Sequence, residues 1–94
     1  MDFKILYTET ALADLEAMML WSWEKHPVTS ERFAIELLNH IDLLRNLPYL
    51  GAPAKKFSGV RCLLHSPIRV YYNVDKNRKV VEVLHFWHVA RRNP

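Results

Sequence analysis

Residues 3–7 (Phe-Lys-Ile-Leu-Tyr) form a short apolar run rich in strand-forming types, which predicts a first strand. Thr8 or Thr10 then offers a helix cap, with Glu9 well placed near the positive end of the helix dipole. Leu12, Leu15, Met19 and Trp23 recur at helical spacing while Asp14, Glu16 and Glu24 fall off that stripe, so a helix is expected until Pro27 stops it. A second helix is expected from Thr29 or Ser30, either of which serves as N-cap, with Glu31 in its first turn. Phe33, Leu37, Ile41 and Leu44 are its core stripe; Glu36, Asn39 and Asp42 face away, and Pro48 and Gly51 close the segment. Two helices joined by so short a turn should pair as an antiparallel hairpin.

The pattern then changes period. Residues 52–58 read as a loop, and 60–65, 68–74 and 79–88 as strands broken by Ser66-Pro67 and by Asp75-Lys76-Asn77-Arg78. Both connections are short, which predicts an antiparallel meander. The expected fold is therefore α+β with order β-α-α-β-β-β, a helical hairpin packed on one face of an antiparallel sheet. Alternation puts Ile68, Val70, Tyr72 and Val74 on one face and Arg69, Tyr71 and Asn73 on the other; Arg61 is opposite in parity to Val60 and Cys62. In the last strand His88 shares parity with Glu82, Leu84 and Phe86, and His85 with Val81, Val83 and Trp87, so His85 is expected to be partly buried and structural.

Composition adjusts this picture in three ways. The chain has 94 residues, half of them hydrophobic, which predicts one domain over residues 1–94 with a real core and excludes a disordered segment. A lone cysteine, Cys62, excludes an internal disulfide framework and a Cys-rich zinc module, and His26, His40 and His65 lack ligand spacing, so no metal or other cofactor is expected. No apolar run is long enough to cross a membrane and the N-terminus lacks a signal pattern, which predicts a soluble, cytoplasmic protein. The net charge of +3 is very unevenly spread: residues 1–54 hold four basic against eight acidic residues, a balance of −4, whereas 55–94 hold nine against two, a balance of +7. Such asymmetry points to a polyanion or an acidic protein as partner of the second half; a merely solvated basic face is the plainer alternative.

Three runs in the second half carry a resemblance: Gly59-Val60-Arg61, Ile68-Arg69-Val70-Tyr71-Tyr72, and Val83-Leu84-His85-Phe86-Trp87-His88-Val89-Ala90-Arg91-Arg92. With Ala-x-x-Asp-Leu at Ala11 to Leu15 and Leu-x-x-x-Pro-x-x-Gly at Leu44 to Gly51, the chain resembles the RelE/ParE superfamily of toxins from type II toxin–antitoxin modules, the plasmid stabilisation proteins. The resemblance implies a cognate antitoxin that wraps and neutralises the toxin and supplies the DNA-binding part of an operon repressor. It also implies one of two targets. Some members cleave mRNA without a metal, usually on the ribosome; others poison DNA gyrase and are not nucleases. A degenerate member that only binds its antitoxin is a third reading.

Metal-free RNA cleavage needs a base for the 2′-hydroxyl, cations around the phosphate and an acid for the leaving oxygen. The expected catalytic set is His88, because imidazole as a group can exchange a proton near neutral pH, with Arg61, Arg69 and Arg91 as phosphate forks. Lys55, Lys56 and Arg92 are expected to track the RNA backbone, and Tyr71 to stack a base. Arg61 and Arg69 suit the carboxylates of an acidic antitoxin equally well, and Tyr72 reads as core. The cluster Met18, Met19, Trp21 and Trp23 is most simply core, with an antitoxin or a second copy as the other occupant. One departure from the nuclease pattern stands out: Val89 follows His88 where several ribosome-dependent members carry a Tyr, and Glu82 is the one acidic residue of 55–94 offered as a general base.

Overall fold

A computed structural model describes residues 2–89, the side chains of residues 21–23 excepted. Strand β1 (Lys4–Tyr7) leads into helix α1 (Glu9–Lys25), then α2 (Pro27–Asp42) and a 3-10 turn (Leu43–Arg45). A two-residue strand β2 (Ala52–Pro53) precedes β3 (Arg61–His65), β4 (Ile68–Asp75) and β5 (Val80–His88). The helices pack on one face of a five-stranded sheet ordered β1-β5-β4-β3-β2, the α+β arrangement expected. The sheet is mixed rather than wholly antiparallel, because β1 lies parallel to β5, Ile5 beside Val81 and Tyr7 beside Val83. The expected loop at 52–58 also holds β2, where Ala52 and Pro53 pair with Cys62 and Arg61 at the sheet edge, a place where a proline's missing N–H does no harm.

Helix α1 starts as its sequence suggests. Thr8 Oγ1 accepts a 3.0 Å hydrogen bond from the Ala11 amide, so Thr8 rather than Thr10 is the cap. Helix α2 begins earlier than expected. Pro27 occupies its first turn, where its fixed φ suits a helix start, and His26 before it is extended at φ −144°. One proline thus ends α1 and opens α2, which leaves Ser30 buried within the first turn instead of capping it.

The core joins Ala11 of α1 and Leu37, Ile41 and Leu44 of α2 to Leu63, Ile68, Val70, Tyr72, Val81, Val83 and Phe86 of the sheet. The α2 stripe is the one expected. On α1 the buried line is Ala11, Leu15 and Met18, while Leu12 is 51% exposed. Two bonds fix that rotation: Thr8 Oγ1 donates to the Leu84 carbonyl (3.1 Å), and the Phe86 amide donates to Asp14 Oδ2 (3.2 Å). Strand β1 ends at Tyr7, opposite Val83, so beyond that point α1 satisfies the β5 edge that a longer strand would have covered. Among the described residues no helix is long and apolar enough to cross a membrane.

Strand β5 contains an irregularity with functional weight. Tyr72 pairs with Val83 but Tyr71 pairs with His85, so Leu84 is an extra residue and the alternation inverts there. Val81, Val83 and Phe86 all reach the core despite their mixed parity. His85 consequently leaves the face of Val81 and Val83 and stands 53% exposed on the other side, which corrects the expectation of partial burial.

Candidate functional site

The sheet face turned away from the helices is built from β4 and β5. Arg69 lies opposite Trp87, and Tyr71 opposite His85, so these four side chains share that face. Leu64 of β3 pairs with Arg69 and Cys62 with Tyr71, extending it toward the edge. The loop after β2 folds over one end, where Phe57 meets Tyr71 edge-on with ring centres 6.4 Å apart. Lys55 and Lys56, adjacent to Phe57 in that loop, are exposed. Together with Thr8, Thr10, Val60 and Leu84, the rings of Phe57, Tyr71, His85 and Trp87 line a 420 Å³ cavity.

The imidazole of His85 is held from behind. Its Nδ1 lies 3.3 Å from Asp14 Oδ2, the same oxygen that accepts the Phe86 amide. A carboxylate so placed fixes the ring's orientation and favours a proton on Nδ1, leaving Nε2 as the ring's other working atom. Neither residue was a candidate from the sequence: the parity inversion at Leu84 hides the exposure of His85. The one signal present was the Ala-x-x-Asp-Leu motif, whose Asp14 performs this anchoring.

The residues nominated for phosphate chemistry do not converge. Arg61 pairs with Tyr72 and so stands on the helix-covered face, where Nε donates to the Gly51 carbonyl (2.9 Å) and Nη2 to the Tyr49 carbonyl (3.2 Å). Its guanidinium also lies 5.2 Å from the centre of the Tyr49 ring. Tyr72 completes this structural knot, donating to the Pro48 carbonyl and accepting from the Gly51 amide, each at 2.9 Å. Burial, partly offset by the Gly51 amide and Arg61, raises the Tyr72 phenol above its ordinary value, as expected of a core tyrosine. His88 pairs with Ile68 on the same covered face but at its opposite end. There it borders a 640 Å³ apolar groove between the helices and Pro67, with Leu15, Met18 and Phe33 among its walls. Arg69 alone of the three faces outward, and burial raises the Cys62 thiol beside it while the Arg69 charge lowers it by a smaller amount. Tyr71 shares the outward side with Arg69, Lys55 and Lys56 are exposed in the loop that carries Phe57, and Arg91 and Arg92 lie outside the described residues. Among the described residues no group of three or more His, Cys, Asp or Glu side chains is placed to hold a metal ion.

The helical hairpin thus covers one face of the mixed sheet and leaves Arg69, Tyr71, His85 and Trp87 on the other. The chain belongs to the ParE toxin family of type II toxin–antitoxin systems, the parDE kind, whose profile matches residues 5–93. Solved structures share the fold. A chromosomal ParDE system from P. aeruginosa superposes with a TM-score of 0.77 at 21% identity, covering 92% of this chain and 95% of that one. The RelBE2 toxin–antitoxin complex of Mycobacterium tuberculosis gives 0.68 at 20% identity, with coverages of 94% and 99%. The isolated RelE toxin of E. coli gives 0.57 at 20% identity, with coverages of 97% and 87%. No curated protein sequence matches the chain.

Proposed function

We propose that this toxin, neutralised by a cognate acidic antitoxin, arrests growth in the ParE manner, by binding and blocking DNA gyrase rather than by cutting mRNA. The observation behind this reading is the division of its nominated catalytic groups between two faces. A metal-free ribonuclease must surround one phosphate with a base, an acid and cations within hydrogen-bond reach. Here Arg61 is engaged by two backbone carbonyls, His88 borders a groove beneath the helices, and Arg69 lies on the far side of the sheet. The excess of positive charge in residues 55–94 suits both an acidic antitoxin and a DNA-bound enzyme. Inducing the chain without antitoxin should trigger DNA-damage signalling, and the purified protein should inhibit gyrase supercoiling, while primer extension finds abundant transcripts intact. New transcript ends with normal supercoiling would overturn the reading.

One specific observation favours a second reading, RNA cleavage from the outward face. His85 held by Asp14 stands beside Tyr71, on the same face as Arg69, a set with an acid/base, a stacking ring and a cation. Under that reading the catalytic histidine is His85, and His85→Ala abolishes the new transcript ends while His88→Ala retains them.

A further inference from the structure

Helix α2 and strand β3 meet at a pair of histidines outside both surfaces described above. The Nδ1 atoms of His40 and His65 lie 2.8 Å apart, with ring centres separated by 5.0 Å. At that separation the two nitrogens sit close to the line joining the ring centres and aim at each other. Two ligands of one metal ion would instead turn side by side toward a third point. The contact is thus an N–H···N hydrogen bond, in which one ring supplies the proton and the other the lone pair.

We propose that His40 and His65 form a proton-operated latch, which holds α2 to the end of β3 while one ring is neutral and releases it when both are protonated. A second proton would place two imidazolium N–H groups against each other and remove the only acceptor. The Phe33 ring packs edge-on against His65 at 5.4 Å between centres, on one side of the pair. Burial, and then the charge of His65, both lower the titration of His40 below its ordinary value.

The latch sits at a weak corner of the sheet. Strand β2 pairs with Arg61 and Cys62, so among the described residues Leu63–His65 have β4 on one side and no strand on the other. Neighbouring charges do not replace the mechanism. On α2, Glu36 precedes His40 by one turn and is exposed. On β4, Ile68 pairs with His65 while the adjacent Arg69 lies on the opposite face. On β5, His88 pairs with Ile68, two strand spacings from His65, about 10 Å. Arg61 is at the far end of β3, and α1 brings Leu15 and Met18 to the nearby groove. The charge that acts on His40 is that of His65.

The sign follows from the lowered titration of His40. Stability from the latch is fully present above the unfolded-state value of about 6.5 and is lost as pH falls through the lower folded-state value. Its limiting rate is about a tenfold fall in the folded-to-unfolded ratio per pH unit, set by uptake of one proton. The test is denaturant unfolding of the full chain between pH 5 and 8, with ¹⁵N spectra of the imidazoles. Expected are one protonated Nδ1 shared by the pair at pH 7.5, a stability loss below pH 6.5 that shrinks in both His40→Gln and His65→Gln, and weaker protection at pH 5 of the Leu63 amide, which faces Val70 in the β3–β4 ladder. Independent titration of the two rings at ordinary values, or an undiminished pH dependence in both variants, would overturn the proposal. So would a zinc-dependent rise in Tm that either variant abolishes, because it would make the pair a metal clamp.

Discussion

The two faces of the sheet are made from alternating residues of the same strands, yet they carry different duties. Toward the helices, Val70, Tyr72, Val81, Val83 and Phe86 are all buried, and even a charged residue there, Arg61, is drawn into holding the chain together. On the outward side Arg69, Tyr71, His85 and Trp87 keep contact with solvent. Arg61 and Arg69 are the same residue type on neighbouring strands, and parity alone puts one on the helix-covered face and the other on the outward face. Residue chemistry nominates candidates for a site; strand register decides which of them work there.

The sharpest way to break this comparison is to substitute neighbours of opposite parity. Leu63 is 4% exposed and Leu64 57%. Leu63→Ala should cost about 3 kcal/mol through lost transfer energy and the cavity left behind, and Leu64→Ala less than about 0.5 kcal/mol, as read from denaturant midpoints. Equal losses would mean that β3 has slipped by one residue. Next in size is the tyrosine pair. Tyr72→Phe removes one hydroxyl but leaves both the Gly51 amide and the Pro48 carbonyl without it, at a cost of about 2 kcal/mol. Tyr71→Phe should leave stability nearly unchanged and act, if at all, on toxicity.

The arginines give the comparison its functional edge. Arg61→Ala should destabilise by about 1–2 kcal/mol, because the Gly51 and Tyr49 carbonyls lose a charged donor and the 48–51 turn loses its brace. Any loss of toxicity in that variant should be recovered when growth temperature is lowered. Arg69→Ala should cost under about 1 kcal/mol of stability. It should nevertheless weaken toxicity or antitoxin binding at every temperature. Toxicity assays at two temperatures beside thermal unfolding separate the outcomes; a temperature-rescued Arg69→Ala would return Arg69 to a structural role.

Much of this architecture is legible in the residues. The α2 stripe, the limits of the β3–β4–β5 meander and the faces of Ile68 through Val74 follow from periodicity, and the ordered motifs point to the family. Three features are not legible, each for a physical reason. The direction of β1 depends on which sheet edge it joins, and a strand's sequence does not encode its neighbour. The rotation of α1 is set by Thr8 and Asp14 bonding to β5, across more than seventy residues of chain, so the apolar Leu12 is left outside. The bulge at Leu84 carries no marker such as glycine, and a single extra residue exchanges the faces of everything after it, His85 and His88 included.

Asp14 stands where the two faces meet, and its substitution gives the finest discrimination. Its Oδ2 serves a backbone amide needed for folding and an imidazole on the outward face. Asp14→Ala removes both functions and should cost about 1 kcal/mol, from the Phe86 amide left without its acceptor. Asp14→Asn keeps a carbonyl oxygen for that amide, so stability should largely return, but the amide side chain no longer favours a protonated His85 Nδ1 through its charge. If His85 serves only the fold, toxicity should follow stability and Asn should restore both. If the outward face does chemistry through His85, Asn should restore stability alone. A binding toxin of the kind proposed here predicts the first pattern, so measuring unfolding and growth arrest on these two variants tests the division of labour between the faces at a side chain that serves both.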